Sequence, residues 1–141
     1  MAKDRALLQM FRERISNVPL FSGLSDREVR SLAGRARQLS LPSGSTIVAE
    51  GARGVEFFVL LSGAAKVTRG GRSVGKLGPG DSFGELALIA GTTRRATVTT
   101  TEPCEVMVVM RPDFLALLDE FPKMTRKMLT ALATWVAEQE A

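Results

Sequence analysis

The chain has 141 residues, 45% hydrophobic and 24% charged, with a formal net charge of +4. That is enough to bury a full core in one domain without staples, and its ordinary composition argues against disorder. A single Cys excludes an internal disulfide, and the lack of any His removes the commonest general base and metal ligand, so neither a zinc site nor catalysis is expected. No apolar run approaches a membrane span, the charged N-terminus is not a signal peptide, and a cytoplasmic protein is expected. The basic residues are scattered, without a block of five or more that would mark a nucleic-acid or membrane tract.

In chain order, Leu7, Met10, Phe11, Ile15 and Val18 recur at helical spacing, which predicts a helix over 4–18 stopped by Pro19. Ser25 followed by Glu28 is a capping box. It opens a second helix with Val29, Leu32, Ala33 and Ala36 on one face. From about residue 37 the period shortens. Apolar runs alternate with Gly-rich turns, and Gly70-Gly71 reads as a two-residue hairpin loop. "RATVTT" and "CEVMVVM" are two further strands, joined across Glu102-Pro103. After Met110 the helical period returns. Phe114, Leu117, Leu118 and Phe121 form one stripe; Met124, Met128, Leu132, Trp135 and Val136 form another beyond Pro122. The expected fold is α+β: an antiparallel β-roll or jelly roll of about eight strands, with N-terminal helices before it and two C-terminal helices after it. The organisation expected is one domain over 1–141, with helices in 1–36, the roll in 37–110 and the last helices in 111–141.

The stretch "FGELALIAGTTRRATV", Phe83 to Val98, carries the chemistry. "GELAL" can make only a turn or two of helix, whose first N–H groups lack intrahelical partners and suit an anion. Arg94 brings a planar fork of donors that matches phosphate oxygens. Glu85 can accept from sugar hydroxyls. Together they describe a pocket for a phosphorylated ribose. The competing explanation is a structural Glu85–Arg94 ion pair with no ligand.

This arrangement resembles the phosphate-binding cassette of the cyclic nucleotide-binding domains, found in cyclic-AMP-dependent kinase regulatory subunits, catabolite-activator-type factors and cyclic-nucleotide-regulated channels. "VPLFSGLS", "EGARGVEFFVLLSGAAKV" and "LGPGDSFGELALIAGTTRRATV" carry the resemblance over nearly the whole chain. It implies a cassette over 83–96. Glu85 would take the ribose 2′-hydroxyl and Arg94 the cyclic phosphate. Phe83, Gly84, Leu86, Ala87, Arg95 and Ala96 would complete the binding surface, largely through backbone N–H groups. It also implies that the last helix caps the base, with Met124, Met128, Leu132 and Trp135 as candidates.

Two positions depart from the pattern. Val55 stands where the family usually has an acidic residue; Glu56 either substitutes for it or simply faces solvent. Arg95 stands where a Thr is associated with cyclic GMP, which tilts the expected ligand toward cyclic AMP, with cyclic GMP possible and no metal. The expected function is a sensor whose C-terminal helices report ligand binding to an effector. The alternatives are a ligand-free domain of the same fold, a truncated transcription factor and a phosphate-ester enzyme. The chain ends at Ala141 without a DNA-reading element, so no nucleic-acid partner is expected.

Overall fold

The computed structural model describes residues 2–16 and 18–140; the side chains of residues 2–4, 135, 139 and 140 lie outside the description. The elements run α1 (Ala2–Ile15), a 3-10 turn (Pro19–Phe21), α2 (Asp26–Arg35), β1 (Ala36–Leu41), β2 (Thr46–Val48), β3 (Glu56–Ser62), β4 (Ala65–Arg69), β5 (Arg72–Leu77), β6 (Ser82–Phe83), α3 (Glu85–Ala90), β7 (Thr97–Thr100), β8 (Cys104–Met110), α4 (Arg111–Glu120) and α5 (Pro122–Glu140). The eight strands form two antiparallel sheets, ordered β1-β8-β3-β6 and β2-β7-β4-β5. Helices precede and follow them, so the architecture is the expected α+β roll. Among the described residues no helix is long and apolar enough to cross a membrane.

The apolar runs of β3 and β8 have a simple cause. Side chains alternate across a strand, and both faces of these two strands are buried. Phe57, Val59, Met107 and Val109 join the helices Val29, Leu32, Phe114, Leu117 and Met124 belong to in one core cluster. Phe58, Leu60, Val106 and Val108 join Val48, Ala65, Phe83, Val98 and Cys104 in a second cluster, between the sheets. The register Phe57↔Val109 and Phe58↔Val108 keeps the two sets on opposite faces.

Local signals hold where backbone chemistry dictates them. The Ser25 side chain accepts from the Glu28 N–H while the Glu28 carboxylate accepts from the Ser25 N–H. Gly70 (φ 59°) and Gly71 (φ 79°) both take the left-handed region that a tight hairpin between β4 and β5 demands.

The first helix differs from its expected extent. It ends at Ile15, because the Ser16 and Val18 N–H groups turn back onto the Glu13 and Ile15 carbonyls. Phe11 and Ile15 pack inward, but Leu7 and Met10 are 58% and 60% exposed, so the buried stripe is narrower than the periodicity suggested. Ala36 belongs to β1 rather than to the α2 face. On α5, Met124 and Met128 are buried, whereas Val136 is exposed; the side chain of Trp135 lies outside the described residues.

Candidate functional site

Strand β6 delivers Phe83 into the roll, where its ring stacks on Phe58 at 5.2 Å between centroids. The chain then turns at Gly84, whose φ of 95° is strained for any other residue. A Cβ there would also sit 2.6 Å from Arg94 Nη1 and 3.0 Å from the Glu56 carbonyl oxygen. Glycine is therefore required twice over, once by the turn and once by the close approach of Arg94. Helix α3 starts at the next residue, Glu85, and buries Ala87 and Leu88.

Arg94 is pinned on both sides of its peptide. Its N–H donates to the Ala52 carbonyl at 2.7 Å, and its carbonyl accepts from the Gly51 N–H at 2.9 Å. The side chain is buried, only 6% exposed. Its Nη2 donates to the Glu56 carbonyl at 2.7 Å and its Nη1 to the Gly84 carbonyl at 3.2 Å, and the guanidinium lies 5.9 Å from the Phe58 ring centroid. Burial pulls its pKa below the usual arginine value, opposed by the nearby charges of Glu56 and Glu85.

Glu85 makes no salt bridge with Arg94 among the described residues. Its Oε2 is buried with no hydrogen-bond partner. Burial pushes its pKa up, against the opposing effects of a backbone N–H and of Arg94. An unsatisfied buried carboxylate oxygen is costly, and native structures rarely keep one without a reason. The structural ion pair that sequence left open as an alternative is thus not formed.

These residues wall a cavity of about 240 Å³ lined by Phe83, Gly84, Glu85, Leu86, Arg94, Arg95 and Ala96, with aliphatic side chains from the sheet opposite. Of the cassette residues the sequence singled out, only Ala87 is not on this wall; it is a buried residue of α3 itself. A second cavity, of about 580 Å³, shares Ser82 and Glu85 with the first and is lined on its far side by Lys127, Met128, Ala131 and Leu132 of α5. Among the base-cap candidates, Met128 and Leu132 face this space, while Met124 is packed in the core.

Three contributors have roles the sequence reading did not give them. Glu56, named there only as a stand-in for an acidic residue, acts on Arg94 through its backbone carbonyl and its field. Arg69 Nε donates to the Arg95 carbonyl at 3.1 Å, tying the tip of the β4–β5 hairpin to the cassette. Gly54 is the third: a Cβ there would lie 2.4 Å from Ala87 Cβ and 3.4 Å from Arg94 Cζ. A glycine in "GARGVEF" was a weak hint of such contact, indistinguishable from a turn.

A short helix after a left-handed glycine, a buried arginine and an unsatisfied glutamate thus share one wall of the β-roll. A family model described as "Cyclic nucleotide-binding domain" matches residues 38–121. The chain belongs to the cyclic nucleotide-binding domain family. It is 33% identical over 121 residues to a cAMP-dependent protein kinase regulatory subunit of Yarrowia lipolytica, covering 86% of this chain and 32% of that protein. It is 31% identical over 127 residues to a cyclic AMP receptor protein of Thermus thermophilus, covering 86% of this chain and 59% of that one. The chain thus spans less than two thirds of either relative. Its fold is similar to the regulatory domain of Toxoplasma gondii PKA solved with cAMP, at a TM-score of 0.78 and 28% identity over 90% of this chain and 49% of the other.

Proposed function

We propose that this cyclic nucleotide-binding domain is a cyclic AMP sensor, and that residues 1–141 act as one unit with its cassette at 83–96. The observation that carries the reading is Glu85 Oε2, a buried acceptor without a donor in the cavity that Arg94 walls. A ribose hydroxyl supplies the donor that Glu85 lacks. Arg94 spends part of its fork on two carbonyls and keeps further N–H donors for a phosphate. The Gly84 turn leaves backbone close to any group in the cavity. Phe83, Leu86, Ala87, Arg95 and Ala96 complete the binding surface in this reading. Arg95 in place of a hydroxylated residue favours adenine over guanine.

Ligand binding shifts the population of two packings of α4 and α5, which form the lid and report to an effector. Met128 and Leu132 are the base-cap side chains best supported by position, because they line the cavity beyond Glu85. The role is regulatory rather than catalytic. Calorimetric titration tests it. Cyclic AMP binds, cyclic GMP binds more weakly, and linear AMP, with its extra charge and no ring, binds far more weakly. Equal affinities for AMP and cyclic AMP would overturn the reading.

The raised pKa of Glu85 gives a pH dependence. In the free protein the carboxyl keeps its proton above the usual carboxylate range. A ribose hydroxyl donating to it favours the ionised form, so binding releases a proton, and affinity rises with pH until the free carboxyl is ionised. Apo stability has the opposite slope. The folded state holds the proton more tightly than the unfolded chain, so this contribution is full below the unfolded pKa and lost as pH rises through the raised folded one. The comparison is wild type with Glu85→Gln, in affinity and melting temperature across that window. Parallel pH profiles for the two proteins would refute the assignment.

A further inference from the structure

The far end of α3 is closed in two ways. Gly91 stops the helix at φ 69°, and its N–H returns to the Ala87 carbonyl. Thr92 N–H donates to the same carbonyl at 3.0 Å. The next carbonyl, that of Leu88, would be left over at a helix C-terminus. It accepts instead from Arg111 Nε at 3.0 Å. A Cβ on Gly91 would lie 3.8 Å from Arg111 Nη2, so the guanidinium rests against the turn that ends the helix. A cation at this end is electrostatically favoured.

Arg111 is also the first residue of α4, and its own N–H donates to the Val55 carbonyl at 2.8 Å. One residue therefore has its backbone fixed to the chain entering β3 while its side chain holds α3. Among the described residues, this is the only side-chain hydrogen bond between α3 and either C-terminal helix. Helix α3 is six residues long, about 9 Å end to end. Over so short a length it moves as one piece, with Glu85 at its first residue and the Leu88 carbonyl in its last turn.

We propose that Arg111 is a positioning residue that ties the cassette helix to α4, so that a displacement of α3 on ligand binding reaches the C-terminal helices through the Arg111–Leu88 bond. The proposal rests on the receptor reading above and names the side chain that does the coupling. The anchored backbone of Arg111 acts as a pivot, and its side chain follows the helix that moves. Leu88 shares the core cluster of Phe114 and Leu117 of α4, so apolar packing lies alongside this bond. The bond adds direction that packing lacks.

The test uses the full chain as wild type, Arg111→Met and Arg111→Lys. Methionine keeps an apolar stem and removes every donor; lysine restores a cation that can donate. Hydrogen exchange is followed in α3, α5 and the core strands β3 and β8, with and without cyclic AMP, alongside calorimetry. In the apo Arg111→Met protein the Gly91 and Thr92 amides exchange faster while β3 and β8 are unchanged. With cyclic AMP, the slowing of α5 exchange seen in wild type shrinks by about fivefold or more, the lower end of ordinary coupling between sites, while affinity changes far less. Arg111→Lys recovers part of the α5 response. A merely structural role would loosen all elements together and would not separate affinity from the α5 response. Wild-type-like α5 slowing in Arg111→Met, or no α5 response in wild type that binds, would overturn the coupling. If wild type fails to bind cyclic AMP, the receptor reading falls. The apo α3 arm still decides the tether, and unchanged Gly91 and Thr92 exchange overturns it.

Discussion

Arg94→Leu is expected to weaken cyclic AMP binding by about 2–5 kcal/mol, the range for removing one partner of a desolvated charge pair. That is roughly thirtyfold to several thousandfold in affinity. The effect on the apo fold is a balance. The Gly84 and Glu56 carbonyls lose their donors, at a cost of about 1–3 kcal/mol for each that stays buried and unpaired. Against this, a buried cation with no carboxylate in salt-bridge reach among the described residues disappears, and an aliphatic side chain fills space beside Phe58. Replacing a buried charge with an apolar group is often neutral or favourable. The binding loss should therefore exceed the stability loss. Arg94→Lys separates charge from geometry: the cation remains but the fork does not, so affinity should fall between wild type and Arg94→Leu. Glu85→Gln should cost less than either, because an amide oxygen still accepts from a hydroxyl. Apo melts and ligand titrations on the same preparations decide the matter. A large drop in melting temperature with unchanged affinity would mean that Arg94 serves the fold alone.

The fold was legible because its signals are local and repeat. "EFFVLL" and "VMVVM" are apolar without alternation, and burial of β3 and β8 on both faces is the physical reason. The capping box and the Gly-Gly hairpin need only neighbouring residues, so they could be read directly. The edges of elements were less legible. Leu7 and Met10 have helical spacing but find no partner surface, because which face of α1 is covered depends on where α2 packs.

The candidate site was legible only in its side chains. Glu85 and Arg94 could be picked out by type and spacing, yet the partners of Arg94 are the carbonyls of Gly84 and Glu56. Every residue has a carbonyl, so backbone acceptors leave no mark in composition. The same reason hid the Arg111–Leu88 and Arg69–Arg95 bonds. The substitution of Glu56 for an acidic residue at Val55 was framed as a question of side chains, whereas the structure uses the backbone of both: Val55 accepts from the Arg111 N–H and Glu56 from Arg94.

Gly54 puts that lesson in testable form, since the Cβ it lacks decides how closely α3 can sit. In Gly54→Ala the new Cβ would meet Ala87 Cβ at 2.4 Å. Neither atom can rotate away, because a Cβ is fixed to its backbone. The strain must move α3 or the 51–55 segment. Overpacking of this kind costs about 1–3 kcal/mol, and here the displaced pieces are the helix that begins with Glu85 and the loop that pins the Arg94 backbone. Affinity should therefore fall together with stability, by roughly tenfold for each 1.4 kcal/mol of lost cradle fit. Gly34→Ala is the control with the opposite sign. Gly34 lies inside α2 with nothing within 4 Å of the new Cβ, so alanine should stabilise by up to about 1 kcal/mol through helix propensity and leave affinity alone. Ala87→Gly in the Gly54→Ala background removes the facing methyl. It should recover affinity while leaving a stability deficit from glycine in a helix, a coupling that a double-mutant cycle measures directly. Failure of Ala87→Gly to restore any affinity would show that the glycine at 54 matters for some reason other than the approach of α3.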